Sequence, residues 1–255
     1  MRVTLLGTGT STGVPMIGCG CRVCTSTDPR DKRLRVSALI ESGATKILID
    51  TSADFRAQML SQKVRGLDAV LYTHYHYDHI AGFDDLRAFQ FLNLQVPICY
   101  TNQETFDVIK RTFGYAFGGA VQSGGGLPNI PFEIIGGMPL TVGELLVEPV
   151  PVDHGVLSIF GYRIGKFAYL TDCNRIGAAS KEKLKGLDVL VLDGLRFKPH
   201  PTHFSIDEAV AVSKELQPAM TYLTHMNHDV LHSEAEEKLP ANIRLAYDGL
   251  VLNLE

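Results

Sequence analysis

Thr73-His74-Tyr75-His76-Tyr77-Asp78-His79 places three imidazoles and a carboxylate within six residues, directly after the apolar run Ala69-Val70-Leu71-Tyr72. The run is short, partly β-branched and followed by polar residues, so it reads as a buried strand that ends at a site. Imidazole and carboxylate suit borderline divalent metals such as Zn²⁺, Mn²⁺ or Fe²⁺. The donors are too dense for one ion. His74 and His76, two apart, can share one metal, while Asp78 and His79 point to another as the chain turns away. An exposed histidine cluster is the plain alternative, but such clusters rarely carry the carboxylate of a hydrolytic metal site as well.

The rest of the chain repeats the pattern. His154 follows Val147–Val152, Asp172 follows Phe167–Thr171, and His225 follows Met220–Thr224. Each is a metal-capable residue at the exit of a strand-like run, where layered α/β folds place their chemistry. Four such exits with compatible side chains indicate one site.

His74-x-His76-x-Asp78-His79, then His154, Asp172 and His225, resembles the ligand pattern of the metallo-β-lactamase superfamily across nearly the whole chain. Asp50, after Ile47-Leu48-Ile49, resembles the acidic residue that precedes the motif in that family. The resemblance implies an αβ/βα sandwich, an α/β layered fold, in a single domain over 1–255. It assigns His74, His76 and His154 to a first metal, Asp78, His79 and His225 to a second, and Asp172 to the bridge. The metals would be Zn or Mn, with Fe a third choice. One fold hosts many reactions, so the substrate does not follow from it.

Gly18-Cys19-Gly20-Cys21-Arg22-Val23-Cys24 is a C-x-C-x-x-C cluster, and His228 stands three residues after His225. Three thiolates and an imidazole make a closed Cys₃His zinc site with no open position for substrate. The arrangement resembles PhnP-type cyclic phosphodiesterases, which carry a structural zinc besides the catalytic pair. Five cysteines, an odd number, argue against a disulfide framework. Cys99 and Cys173 read as buried thiols.

That resemblance implies a metal-activated hydroxide that attacks the phosphorus of a small, cyclic phosphodiester, with Asp78 orienting the nucleophile. It also implies a non-ligand histidine that protonates the leaving alkoxide. In Lys198-Pro199-His200-Pro201-Thr202-His203, His203 aligns best with that acid and His200 is the alternative. An ordinary histidine pKa near ~6.5 suits the role. Three other functions share the pattern: a tRNA 3′-processing nuclease, a thioesterase or lactonase, and a zinc-stabilised accessory binding protein.

Composition bears on these. The net charge is −4, and proteins that grip RNA along its backbone display a basic stripe. The nearest candidate, Arg30-Asp31-Lys32-Arg33-Leu34-Arg35, is short, contains an acid and reads as a solvated loop face. No stable nucleic-acid complex is expected, and a homodimer is allowed. No run approaches the ~20 apolar residues of a membrane span. Met1-Arg2 leads straight into Val3–Leu6, so the expected compartment is the cytoplasm.

Strands are expected at Val3–Leu6, Val36–Glu41, Lys46–Ile49, Ala69–Tyr72, Pro97–Tyr100, Phe132–Ile135, Leu145–Val150, Ser158–Ile164, Phe167–Leu170, Val189–Leu192, Thr221–Leu223 and Gly249–Leu254. Helices are expected at Asp54–Ser61, Asp84–Leu94, Glu104–Thr112 and Ile206–Leu216, the last opened by the capping box Ser205-x-x-Glu208. Gly7–Gly13 tempts a dinucleotide reading, but Val14-Pro15 and cysteines follow it rather than a helix, so a turn near the metal site is expected. The glycine-rich stretch Gly114–Pro128 reads as a lid over the substrate or a plain loop.

Overall fold

Strand after strand of this chain alternates two apolar faces, and both faces are buried. In the computed structural model, which describes residues 1–92, 94–118 and 126–254, Ile47 and Ile49 join one core cluster while Leu48 between them joins another. Phe167 and Tyr169 likewise face one layer, and Ala168 and Leu170 the opposite one. A period of two with both faces apolar requires a sheet covered on each side.

Two sheets meet this requirement. The first contains β1 (Arg2–Gly7), β2 (Ser37–Ser42), β3 (Thr45–Ile49), β4 (Ala69–Leu71), β5 (Ile98–Thr101) and β6 (Phe132–Ile134) in that spatial order. The second runs in reverse, from β13 (Ile243–Leu245) through β12 (Met220–Thr224), β11 (Val189–Asp193), β10 (Phe167–Leu170), β9 (Leu157–Ile164) and β8 (Leu145–His154) to β7 (Leu140–Val142). A last strand, β14 (Val251–Asn253), returns to the first sheet and pairs antiparallel with β1.

The inner faces share one apolar layer that includes Val3, Leu5, Ile40, Ile47 and Ile49 from the first sheet and Val147, Tyr162, Phe167, Tyr169 and Val191 from the second. Helices cover the outer faces. α1 (Phe55–Ser61), α2 (Tyr77–Ile80), α3 (Arg87–Phe91) and α4 (Gln103–Thr112) belong to the first half; α5 (Ala178–Lys183), α6 (Ile206–Leu216) and α7 (His232–Glu236) belong to the second. The result is the layered αβ/βα sandwich expected from the sequence. Among the described residues, no helix is long and apolar enough to cross a membrane.

The capping box is formed as expected: Ser205 Oγ accepts from the Glu208 backbone N–H, and the Glu208 carboxylate accepts from the Ser205 backbone N–H. The helix expected over Asp84–Leu94 is instead a 3₁₀ stretch, Ala81–Leu86, followed by the short α3. Phe83 and Leu86 are both buried, and their three-residue spacing fits a three-per-turn helix. The short edge strands β7 and β13 were not expected. The centre of the glycine-rich stretch, 119–125, lies outside the described residues. Gly9 in the first glycine turn lies alongside Met226, the residue after His225.

Two bonds cross the seam at one end of the sandwich. The buried Tyr162 hydroxyl donates to the Tyr72 carbonyl at 2.6 Å, and Phe160 N donates to Thr73 O at 3.1 Å. They fix β9 against the segment that carries the histidine motif. Tyr162→Phe should leave the Tyr72 carbonyl buried without this partner and cost about 1–3 kcal/mol. Chemical denaturation should show a lower midpoint with an unchanged slope; an unmoved midpoint would remove this bond from the account of the seam.

Candidate metal centre

The candidate site forms where strands of both sheets end. Asp50 follows β3, Asp172 lies two residues past β10, and His225 follows β12. All three have left-handed backbones, with φ of 59°, 54° and 62°. Such a conformation is uncommon for a residue with a Cβ and costs about 1–3 kcal/mol each. Only two other described non-glycine residues adopt it, so the strain is concentrated here. Each corner turns a side chain into the seam just where the ladder stops.

Two clusters result. The donor atoms of His74, His76, His154 and Asp172 lie within 4.8 Å of one another, as do those of Asp78, His79, Asp172 and His225. His74 Nε2 is 2.9 Å from His76 Nδ1. His79 Nε2 lies 3.3 Å from Asp78 Oδ2 and 3.4 Å from Asp172 Oδ1, and His225 Nε2 is 3.2 Å from Asp172 Oδ2. Metal–ligand bonds of about 2.0–2.2 Å place neighbouring donors roughly 3–3.5 Å apart, so these spacings fit divalent ions. Asp172 belongs to both clusters, the position of a bridge. His79 Nε2 and both ring nitrogens of His225 are buried with no hydrogen-bond partner. Buried polar atoms normally find partners, and a bound cation would supply them.

Neighbouring groups aim these rings. Asp50 accepts from Thr73 N at 2.8 Å and Thr73 Oγ1 at 2.8 Å, and from His79 Nδ1 at 2.7 Å. That bond leaves Nε2 of His79 as the free nitrogen. His154 Nδ1 donates to Thr202 O at 2.8 Å and is oriented in the same way. Burial lowers the pKa of His74, His76 and His154, which favours the neutral, ligating form. Burial acts to raise Asp172 and Asp78, but the rings of His225 and His79 around them hold both below the usual carboxylate range. For His79, burial is outweighed by Asp172, Asp78 and Asp50, which raise it.

His203 stands beside both clusters without joining a ligand shell. Its ring lies 4.7 Å from that of His154 and 4.7 Å from that of His225, centroid to centroid. Its Nδ1 is 2.8 Å from Oδ2 of Asp193, which also accepts from Cys173 N. Asp193, His203 and His225 also converge within 4.8 Å, but the 2.8 Å bond already pairs Asp193 with His203. Burial lowers His203 and raises Asp193, so the uncharged pair is favoured over the ion pair. Asp193 was not picked out from the sequence, although it ends β11 just as the other acids end their strands. His200 lies outside both clusters, its ring 5.1 Å from that of His203.

A separate cluster joins the two ends of the chain. Cys19, Cys21, Cys24 and His228 bring their donor atoms within 4.8 Å, with His228 Nδ1 3.3 Å from Cys19 Sγ and 3.5 Å from Cys21 Sγ. Tetrahedral zinc with bonds of about 2.3 Å to sulfur and 2.0–2.1 Å to nitrogen needs similar edges. All five cysteines are free. The Cys24 backbone N–H, together with His228, lowers the Cys21 thiol to about 6, while burial raises Cys24 to about 11.

Arg33 holds this assembly, which corrects the reading of residues 30–35 as a solvated face. Its guanidinium is buried and donates to Asn227 O, Val230 O and Asp31 Oδ1. Asp31, also buried, accepts from His232 N. The carbonyls on either side of His228 give the arginine partners that the sequence does not reveal. Arg35 is engaged too, with Asp54.

Asp172→Ala should retain the fold but bind less than the wild-type metal complement, because one residue serves both clusters; elemental analysis of the purified variant reads this directly. Cys21→Ser should lose one zinc and melt at a lower temperature, since metal binding at a closed thiolate site is coupled to folding. Wild-type protein expressed with ample zinc that holds only two metals would count against the cysteine site.

The comparisons agree with this geometry. Residues 45–226 match the Beta-lactamase superfamily domain. A Porphyromonas gingivalis protein named octanoyltransferase is 44% identical over 98% of this chain, but the chain spans only 51% of that relative's length. A crystal structure described as a new diphosphatase from the PhnP family is 43% identical, with a TM-score of 0.93 covering 100% of this chain and 98% of that one. Zn²⁺-bound PqqB from Methylobacterium extorquens, 19% identical over the full length of both chains, shares the fold with a TM-score of 0.81. The chain therefore belongs to the metallo-β-lactamase superfamily, as a hydrolase-fold member close to the PhnP family.

Proposed function

We propose that the protein is a metal-dependent hydrolase of small phosphodiesters, cyclic phosphates included. The observation that carries this reading is His203. A titratable ring, anchored through Nδ1 to a buried carboxylate, stands next to two clusters of metal donors and contributes to neither shell. Hydrolysis of an ester with an alkoxide leaving group needs that combination of electrophilic assistance and a proton donor.

His74, His76, His154 and the shared Asp172 would hold one divalent ion, and Asp78, His79, His225 and Asp172 the other. Bound there, the ions supply Lewis acidity toward phosphoryl oxygens and a water acidic enough to ionise near neutrality. Asp50 fixes His79, Thr202 fixes His154, and Asp78, with its carboxylate in the second cluster, orients the water. Asp193 holds the His203 ring so that Nε2 faces away from the anchoring bond and delivers its proton to the leaving oxygen. Burial, with the charges of His79 and Arg196, depresses His203, but an anionic phosphoryl group beside it would restore its proton affinity.

Two relatives suggest neighbouring readings. The 43%-identical diphosphatase supports diphosphate esters as substrates of the same centre. The octanoyltransferase relative raises acyl chemistry, but about half of that protein lies outside the match. A panel of bis-p-nitrophenyl phosphate, 2′,3′-cyclic nucleotides, a diphosphate ester and acyl thioesters, with metal content measured on the same sample, separates the classes. Turnover of thioesters alone would overturn the proposal.

His203→Ala should keep its metals and lose about 10²–10⁴ in rate on esters with alkoxide leaving groups. The loss should shrink for p-nitrophenolate, which leaves with little help from a proton. An equal fall on both substrates would assign His203 to binding or structure.

A further inference from the structure

The loop that delivers His203 is more tightly fixed than its prolines suggest. Its base is closed by Leu195 N to Phe204 O at 3.0 Å and Ile206 N to Arg196 O at 2.8 Å. Each remaining pin comes from a residue at a site corner. His154 donates to Thr202 O, Asn174 Nδ2 donates to Pro201 O at 2.8 Å, and Phe204 N donates to Cys173 O at 2.7 Å. Within the loop, the Arg196 guanidinium donates to the carbonyls of Lys198 and Pro199, each at 3.2 Å. A histidine on this loop is held in register with the candidate metal ligands.

His200 is such a histidine. Thr202 N donates to its Nδ1 at 3.4 Å, and the Thr202 hydroxyl, 3.3 Å away, can donate to the same nitrogen; with Nδ1 accepting, the hydrogen sits on Nε2. Among the described residues, no protein group takes that hydrogen. The ring is only partly buried and sits 5.1 Å from the ring of His203, with Arg196 adding positive charge nearby. A donor on a pinned loop, near a cation and one ring away from the proposed proton donor, is poorly explained by loop structure alone.

We propose that His200, backed by the charge of Arg196, is an anion subsite for a second phosphoryl group, so that diphosphates bind better than single phosphoryl groups. The inference rests on the phosphoester reading for the identity of its ligand. The 5.1 Å step between the rings suits two directly joined phosphoryl groups, one beside His203 and the centre, the next against His200. A lone phosphodiester has no oxygen that needs the second contact.

Binding separates this from catalysis. Calorimetric titration of metal-loaded wild type, His200→Ala and His200→Gln with inorganic pyrophosphate and with orthophosphate reads the subsite directly. His200→Ala should weaken pyrophosphate about tenfold or more, as expected for loss of a hydrogen bond to a charged group, and leave orthophosphate within about twofold. His200→Gln, which keeps an N–H donor, should recover part of the loss, and all three proteins should hold equal metal. Equal weakening toward both anions, or no weakening at all, would overturn the proposal. If the wild type hydrolysed no phosphoester while showing this binding pattern, the functional reading would fall and the subsite would stand.

Discussion

A buried carboxylate, that of Asp50, sets the frame for the rest of the centre. It accepts from the backbone and the hydroxyl of Thr73 and from the ring of His79. These bonds tie the exit of β3 to the segment leaving β4, so the histidine motif begins from a fixed point. The same contact decides which nitrogen of His79 faces the seam. Asp50 is fully buried, and burial raises its pKa. The three donors aimed at it are what make such a group tolerable in the interior. The left-handed turn at Asp50 is part of the same arrangement: without it the carboxylate would follow the strand and miss both partners.

Much of this was legible in the sequence because the chemistry is local. His74 to His79 fall in one segment, and the acids and histidines at later strand ends follow apolar runs that announce themselves. The alternation of Ile47-Leu48-Ile49 and Phe167-Ala168-Tyr169-Leu170 likewise carries the two-layered core in plain view. Arg33 shows where legibility stops. Five charged residues among the six from 30 to 35 look solvated, yet Arg33 is among the largest fully buried side chains, because carbonyls from residues 227 and 230 surround it. Those partners are about two hundred positions away, and no local pattern encodes them. Asp193 was missed for a similar reason: its partner His203 is near in sequence, but its significance depends on Cys173 and the two clusters. The proposed roles of His200 and His203, alike as residues in a proline-rich loop, separate only when the bonds of Asp193 and Thr202 are seen.

The cysteine cluster and the candidate catalytic centre are linked through the chain between them. His225 ends one strand, Met226 lies beside Gly9, and Asn227 and Val230 are gripped by Arg33 around His228. Only two residues thus separate a ligand of one cluster from a ligand of the other, on backbone that is held at both. The order of the N-terminal cysteine loop therefore bears on where His225 points.

The return of β14 to the first sheet has a consequence for how the molecule is made. Residues 251–253 pair with residues 2–4, so the sheet that presents the histidine motif lacks one flank until residue 253 is available. The ligands themselves arrive in two batches, four by residue 79 and three between 154 and 225. A nascent chain emerging from the ribosome holds an incomplete set of donors until residue 225 has been made. Tight capture of metal at the candidate centre would thereby be postponed until the two halves have met, and a filled centre would be a signature of a finished fold.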